Sequence, residues 1–245
     1  MDDCKLKLND DKTEFFVAAS SHNLKLIPDI SITLGNSSIH PSESVRNLGA
    51  FFDSAMSMSS HILHISQTVN YYLRNISRAR KFMDESACHH AVRSLVLSRL
   101  DYCNGLLSSV PNVHIQRLQR LQNWAARLVF AVNRKHDPIP LMHSLHWLPI
   151  QQRIMFKHLL FVYKSFHNLA PIYLSNCLLK YVPRRNNLRS GDDILQLEYP
   201  RTRVRAGDRT FTVCASRAWN NLPISVRSST SVNNFKKSLK KHLFV

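Results

Sequence analysis

The chain has 245 residues, of which 44% are apolar and 9% aromatic. A chain of this length and composition can bury one large core or two modest ones, which argues against wholesale disorder. Lysine and arginine number 33 against 16 aspartates and glutamates, so the net charge is +17 at pH 7. This balance favours a phosphate-rich partner or an anionic membrane surface.

The positive charge is concentrated in the later part of the chain. Residues 1–60 hold 5 basic and 8 acidic side chains, whereas residues 61–245 hold 28 basic and 8 acidic ones. The surface that attracts anions is therefore expected after residue 60.

The N-terminal residues and the cysteines do not have the patterns of an exported protein. Residues 1–5 (MDDCK) lack the basic-then-apolar pattern of a signal peptide, and no stretch approaches the roughly 18 apolar residues of a membrane span. We expect an intracellular protein, nuclear or cytoplasmic, with no membrane partner. The cysteines are odd in number and lack Cys-x-x-Cys spacing, which predicts reduced thiols: Cys4, Cys88, Cys103, Cys177 and Cys214.

The first part of the chain reads as short β-strands. Apolar and β-branched runs predict strands at residues 15–17, 24–27, 30–34 and 48–53, with a turn at Gly35-Asn36.

Helical periodicity begins near residue 60. Apolar residues recur three or four positions apart on the first helix, at Ile62, Ile65, Val69, Tyr72, Ile76 and Ala79. Asp84 is placed to cap a second helix that buries Cys88, Ala91, Val92, Leu95 and Val96. A third helix is predicted at about residues 113–134.

The last hundred residues mix patterns. Helical periodicity resumes after Pro140 and stops before Pro171. Residues 183–193 are polar and basic and predict an exposed loop, while residues 194–214 alternate in short β-like runs. The chain ends in an amphipathic helix whose lysines are expected away from the apolar face: Lys236, Lys237, Lys240 and Lys241.

The third helix carries a basic face. Its apolar side gathers Ile115, Leu118, Leu121, Ala125, Leu128 and Val129, and another side gathers Arg117, Arg120, Trp124, Arg127 and Arg134. Arginines can neutralise backbone phosphates, and an indole ring can stack on a base. The alternative is a solvated face with Trp124 packed at a helix interface.

A second basic cluster lies in the C-terminal segment. Residues 180–245 hold 14 basic and 4 acidic side chains. Arg201, Arg203 and Arg205 alternate with other residues, so in a strand all three project from one face. Three aligned guanidinium groups repel one another unless an anion lies between them, and nucleic acid is such an anion. The alternative is separate exposure to solvent.

Metal and hydrolase sites are poorly supported. His61 and His64, like His143 and His146, have helical spacing but no nearby cysteine or carboxylate set to complete a zinc site. The chain has no Gly-x-Ser-x-Gly elbow, and its 5 glycines form no phosphate-binding loop.

Several short strings follow one another in a characteristic order. They are 6–9 (LKLN), 12–14 (KTE), 47–49 (NLG), 52–53 (FD), 98–104 (SRLDYCN), 117–123 (RLQRLQN), 144–150 (SLHWLPI), 200–203 (PRTR) and 218–223 (AWNNLP). Together they resemble the C-terminal part of non-LTR (LINE-type, Jockey-like) retrotransposon reverse transcriptases, over nearly the whole chain.

The resemblance implies an α+β, mainly helical fold in three parts. Residues 1–57 would be the C-terminal edge of the polymerase palm, a small antiparallel β remnant. Residues 58–135 would be the helical thumb, which lies along the template–primer duplex, and residues 136–245 a mixed, basic C-terminal domain. It also implies a primer-grip hairpin at Leu48 and Gly49, and a phosphate contact at Lys12, which by itself is consistent with an ordinary turn lysine.

Polymerisation needs two Mg²⁺ ions held by palm carboxylates. Asp3 precedes Lys12 by too few residues for the strand and helix that separate the matching positions in the family. Asp10-Asp11 and Asp192-Asp193 lie in predicted turns without a third carboxylate. We therefore expect no catalytic residue, metal or cofactor in this chain, with Mg²⁺ required only by a full-length parent.

The basic surfaces and the resemblance are consistent with two functions. The first is a non-catalytic protein that binds RNA or an RNA–DNA template–primer through its thumb and C-terminal domain. The alternative is a piece of an active RNA-directed DNA polymerase whose gene model is incomplete. A decayed element copy is a third reading. An exposed palm edge also predicts self-association, or pairing with the missing palm and fingers.

Overall fold

The computed structural model describes residue 9 and residues 12–35, 37–182, 195–203 and 205–244. It is 57% helix and 9% strand, which confirms the mainly helical α+β class. The chain forms two compact units, Met1–His64 and Ile65–Val245. The assignment of segments to palm, thumb and C-terminal domain stays a prediction.

The N-terminal unit holds two antiparallel hairpins. A short helix, α1 (Ser21–Leu24), precedes β1 (Ile32–Leu34), which pairs with β2 (Ser37–Ile39). The second hairpin pairs β3 (Ser44–Asn47) with β4 (Ala50–Asp53), so that Val45 lies opposite Phe52.

Two of the predicted strands in this unit are wrong and two are shortened. Residues 24–27 are the end of α1 and a turn, because the Ser20 hydroxyl accepts a hydrogen bond from the Asn23 amide and caps a helix there. In residues 15–17 only Phe15 forms a bridge, to Pro41. The strand predicted at 48–53 begins at Ala50, since Leu48 and Gly49 form the turn.

Helices dominate from residue 59 onward. They begin with α2 (Ser59–Ala79) and a 3₁₀ turn, then α3 (Glu85–Val92), which continues through a π-helical turn (Arg93–Leu97) into α4 (Ser98–Asp101). The Asp84 carboxylate accepts a 2.6 Å hydrogen bond from the Ala87 amide, so the predicted cap is confirmed.

A long amphipathic helix, α5 (Asn112–Val129), follows a second 3₁₀ turn (Asn104–Leu107). All six residues predicted for its apolar face are buried. The helix ends before the predicted residue 134, because Ala131 adopts a left-handed backbone conformation with φ 54°. Arg134 therefore lies in a turn after the helix and not on its face.

The next two helices are α6 (Pro138–Ser144) and α7 (Ile150–Phe166), and α7 contacts α5. The remaining elements are α8 (Ile172–Asn176), β5 (Leu179–Lys180) paired with β6 (Leu197–Glu198), α9 (Arg205–Asp208), α10 (Phe211–Asn220), α11 (Ile224–Arg227) and α12 (Val232–Leu243). Several of them, α8, α10 and α12, also pack against α7. The centre of this core is aromatic: the Tyr163 and Phe235 rings stack at 4.2 Å, and Trp219 lies 5.9 Å from Phe235.

The β-like reading of residues 194–214 is wrong beyond β6. Residues 205–208 and 211–220 are helices. In the second of them, α10, Val213, Ser216 and Trp219 recur three positions apart and bury one side of the helix in the core. The loop predicted at 183–193 lies outside the described residues. The terminal helix is confirmed, with Phe235, Leu239 and Leu243 buried.

Among the described residues, no helix is both long and apolar enough to cross a bilayer.

Candidate nucleic-acid interface

The basic face of α5 opens into a groove within the C-terminal unit. Arg120, Trp124 and Arg127 line its α5 side, and Arg134 lines it from the turn beyond the helix. The groove has a volume of about 1010 Å³. Arg117, the first arginine of the predicted face, is exposed but does not line the groove.

The opposite wall comes from α2 and the turn that follows it. It consists of Asn70, Arg74, Ser77 and Arg80. Five arginines therefore line the groove in all, and none of the groove's lining residues is acidic. Two helices separated by about 50 positions in the sequence together build one cationic surface, with Trp124 as its aromatic member.

Two of the five arginines have structural partners. Arg80 donates from Nε to the Leu128 oxygen and from Nη2 to the Val129 oxygen, each at 2.9 Å. A cation at this position also offsets the partial negative charge at the end of α5, which would otherwise repel phosphate. Arg127 donates from Nε to the His136 oxygen at 2.8 Å. These bonds fix both guanidinium groups in place.

The other three arginines are not paired with any carboxylate that the structure describes. Within the described parts of the chain, no acidic side chain lies within ion-pair distance of Arg74, Arg120 or Arg134, all of which are exposed. Neighbouring guanidinium groups repel one another, and an anion placed between them removes that repulsion. An anion bound in the groove would therefore be stabilised by these arginines.

A second polar surface continues the groove along α2. It is lined by Gln67, Asn70, Tyr71, Arg74, Asn75 and Arg78, so it shares Asn70 and Arg74 with the groove. Tyr71 is 62% exposed, and its ring meets that of Tyr72 edge to face at 5.3 Å. Tyr72 is itself held by Arg99, whose Cζ lies 4.1 Å from the ring centroid. An exposed aromatic ring beside arginines is a surface on which a base can stack.

The second predicted arginine cluster is not formed as expected. Arg201 and Arg203 are exposed but lie outside any strand, and α9 begins at Arg205, so the three do not share a strand face. The local reason is a hydrogen bond of 2.5 Å from the Thr202 hydroxyl to Asp208, which draws the segment toward α9. The side chain of Arg205 lies outside the described residues.

Asp208 interacts with two nearby side chains, Thr202 and Arg217. Its pKa is lowered chiefly by the hydrogen bond from Thr202 and then by the nearby Arg217, whose Nη2 lies 3.4 Å from the carboxylate. Arg217 is thereby paired with a carboxylate, unlike Arg74, Arg120 and Arg134 among the described residues.

Of the residues that the resemblance assigns to the N-terminal unit, Leu48 and Lys12 are exposed and Gly49 is partly buried. Leu48 is 86% exposed at the tip of the β3–β4 hairpin, with φ 46°, and Gly49 follows with φ 85°. Lys12 is exposed, and its amide donates to Asn9. The hairpin is present; its role in gripping a primer stays a prediction.

Metal ligands are not gathered in the described part of the chain, where no group of three His, Cys, Asp or Glu side chains is suited to hold an ion. Asp2-Asp3, Asp10-Asp11 and Asp192-Asp193 lie outside the described residues. His61 is buried and accepts a hydrogen bond from the Phe51 amide at 3.4 Å, while burial and the neighbouring His64 lower its pKa.

The sequence reading missed the contribution of α2. A signal was present, because Asn70, Arg74 and Ser77 recur at helical spacing opposite the apolar face, as do Arg74 and Arg78. That spacing identified a polar face but gave no reason to place it beside α5.

Comparisons of this chain with models of protein families, with curated proteins and with solved structures gave no match.

Proposed function

We propose that this chain is a truncated, reverse-transcriptase-like protein that binds RNA or an RNA–DNA template–primer and has no catalytic activity by itself. The observation that carries the proposal is the groove between α2 and α5, which is lined by five arginines and no carboxylate. On this proposal α2 to α5 are the thumb, and the groove is the surface that contacts the nucleic-acid backbone.

The chemistry of the groove supports contact with backbone phosphates. Guanidinium groups bind phosphate through two parallel hydrogen bonds, and each neutralised phosphate releases condensed counterions. Arg74, Arg120 and Arg134 are the groups available for this contact, because Arg80 and Arg127 already donate to main-chain oxygens. Trp124 and Tyr71 add ring faces for bases, which favours a strand with unpaired or terminal nucleotides.

The proposal assigns no polymerase step to this chain. Mg²⁺ and primer extension would belong to a full-length parent that supplies the remaining palm and the fingers. Leu48 and Gly49 would contact the primer end, and Lys12 a phosphate. Arg201, Arg203 and Arg205 remain part of the proposal as separate basic contacts and not as one aligned row.

The proposal is tested by measuring the affinity of the full chain for a fluorescent RNA strand and for an RNA–DNA hybrid over a range of salt concentrations. Affinity should fall steeply with salt, with a log-log slope of about −0.7 per phosphate neutralised on a single strand. Replacing both Arg74 and Arg120 with glutamine should weaken binding and make that slope shallower by about 1.4.

Arg117→Gln is the matched control, since it removes the same charge from the same helix outside the groove. Its effect should be smaller than that of Arg120→Gln. Equal effects of the two single substitutions, or binding that does not change with salt, would contradict the groove as the binding surface.

A further inference from the structure

A small pocket in the C-terminal unit shares no lining residue with the groove. It has a volume of about 280 Å³ and lies among α4, the 3₁₀ turn that follows it, α7 and α12. Its polar lining residues are Asp101, Asn104, His146, Arg153, Lys157 and Lys240. A pocket of this size accommodates a small ligand or one chemical group of a larger one.

Cations from two helices line this pocket. Arg153 and Lys157 are four residues apart and therefore lie on the same side of α7, and Lys240 comes from α12. Asp101 supplies the only carboxylate among the described lining residues. Three cations against one carboxylate leave the pocket with an excess of two positive charges.

Arg153 is held in place by its bonds to the surrounding protein. It donates from Nη1 to Asp101 Oδ2 at 2.6 Å and from Nε to the Leu148 oxygen at 2.8 Å, and its side chain is only 14% exposed. The ion pair occupies the carboxylate of the pocket. In the part of the chain that the structure describes, no acidic side chain lies within ion-pair distance of Lys157 or Lys240. These two lysines are therefore the cations available to an anion.

The surroundings of Lys240 disfavour its positive charge. Partial burial lowers the pKa of the lysine, and the positive charges of Arg153 and Arg93 lower it further. Phe156 and Leu160 also line the pocket, and their apolar side chains reduce the screening of charges by water. An anion bound beside Lys240 would offset the repulsion, because a nearby opposite charge favours the charged form of a lysine.

We propose that this pocket binds a terminal phosphate group, which carries about two negative charges near neutral pH. Lys157 and Lys240 contact the phosphate oxygens, and the charge of the group matches the excess positive charge of the pocket. A phosphodiester within a strand carries a single negative charge and matches it less well. The phosphate belongs either to a small phosphate ester or to the phosphorylated end of a nucleic-acid strand. The proposal goes beyond the groove and does not depend on it.

The charge of the ligand is tested by calorimetric titration of the full chain with methyl phosphate and with dimethyl phosphate. At about pH 8 the first carries two negative charges, since its second pKa is near 6, and the second carries one. Methyl phosphate should bind roughly tenfold more tightly, as expected for one additional charged hydrogen bond. Equal affinities for the two compounds, or no binding of methyl phosphate, would overturn the proposal.

Variants of α12 test the phosphate contact. Lys240→Gln should weaken binding of methyl phosphate roughly tenfold, because a charged hydrogen bond is lost. Lys241→Gln is the matched control and should bind as the wild type does, since Lys241 is exposed on the same helix and lies outside the pocket. Equal binding by the two variants would overturn the proposal.

The melting temperature of the unliganded protein separates weaker binding from loss of the fold. Lys240→Gln should melt no lower than the wild type, because glutamine removes a charge that its surroundings disfavour. Methyl phosphate should raise the melting temperature of the wild type more than that of Lys240→Gln. An equal increase in both proteins would contradict contact between Lys240 and the phosphate.

Two additional measurements separate the sources of the phosphate and the two sites. A short RNA that binds more tightly with a 5′-phosphate than with a 5′-hydroxyl identifies a strand end as the source, and equal binding of the two identifies a small ester. Arg120→Gln should leave the affinity for methyl phosphate unchanged, because Arg120 lines only the groove. A loss as large as that of Lys240→Gln would place the phosphate in the groove and overturn the proposal. Failure of the groove proposal would thus appear in the RNA titrations and failure of the pocket in those with methyl phosphate.

Discussion

Nε of Arg80 donates a 2.9 Å hydrogen bond to the main-chain oxygen of Leu128. This contact joins the turn after α2 to the end of α5, and both residues line the arginine groove. The Leu128 oxygen also accepts from the Ala131 amide at 3.3 Å, so the guanidinium group is an additional donor at the end of α5. The same side chain therefore has a role in the fold and a place in the proposed interface.

Replacing Arg80 with methionine should destabilise the C-terminal unit. The change leaves the carbonyl groups of Leu128 and Val129 without this donor, and Nη1 no longer donates to Met83 at 2.6 Å. We expect a loss of on the order of 2 kcal/mol in the free energy of unfolding, measured by urea denaturation. Arg78→Met is the control, since Arg78 is exposed near the end of α2, two residues before Arg80. Equal urea midpoints for the two variants would show that the bonds contribute little.

Replacing Trp124 with leucine should weaken binding of single-stranded RNA without changing its dependence on salt. The indole lines the groove but carries no charge, so its loss removes stacking and leaves the number of phosphate contacts unchanged. The expected loss is roughly 1–3 kcal/mol, measured by fluorescence anisotropy at several salt concentrations.

Trp124→Phe is the companion variant, because it keeps a smaller ring and should retain part of the affinity. If Trp124→Leu binds as well as the wild type, Trp124 is a packing residue at the helix interface, the alternative that the sequence left open.

Replacing Leu48 with asparagine should stabilise the β3–β4 hairpin. Leu48 and Gly49 both have positive φ, the backbone of a type I′ turn, for which Asn-Gly is the favoured pair. Leucine in the left-handed region costs roughly 1–2 kcal/mol, and asparagine tolerates it better. Slower hydrogen exchange at the β4 amides would measure the increase in the stability of the hairpin.

The same variant bears on the proposed primer contact. If the exposed leucine is retained for binding, Leu48→Asn should bind an RNA–DNA template–primer more weakly while its hairpin becomes more stable. Unchanged affinity together with slower exchange would argue that Leu48 has no part in binding.

Acid should destabilise the C-terminal unit through His158. Its Nε2 lies 3.1 Å from the Gly105 oxygen, and burial lowers the pKa of the ring below the 6.5 of a free histidine. The unfolded chain therefore takes up a proton at higher pH than the folded chain does. Stability is fully present above about pH 6.5 and falls as the pH drops from there through the lowered pKa.

Thermal denaturation between pH 7.5 and pH 5 checks this expectation. His158→Gln keeps a donor for Gly105 but cannot titrate, so its melting temperature should vary less with pH than that of the wild type. His61, whose pKa is also lowered, retains part of the dependence in the variant. Identical pH profiles for the two proteins would exclude His158 as a source of the effect.

The C-terminal segment shows where pattern reading fails. Alternation at Arg201, Arg203 and Arg205 indicated a strand, yet helix α9 begins at Arg205. Periodicity over a few residues cannot separate a strand from a short helix, and here the hydrogen bond from Thr202 to Asp208 favours the helix. In the same region, the helical spacing of Val213, Ser216 and Trp219 is explained by burial of one side of α10 in the core around α7.

The sequence by itself determined the excess of positive charge, the mainly helical class, the cap at Asp84 and the two faces of α5. These properties depend on composition and on residues three or four positions apart. Only the tertiary structure decided that Arg74 and Arg80 lie across a groove from Arg120, and that Lys240 lines a pocket with Asn104. The physical reason is that helix packing joins residues far apart in the chain, through contacts that no local pattern encodes.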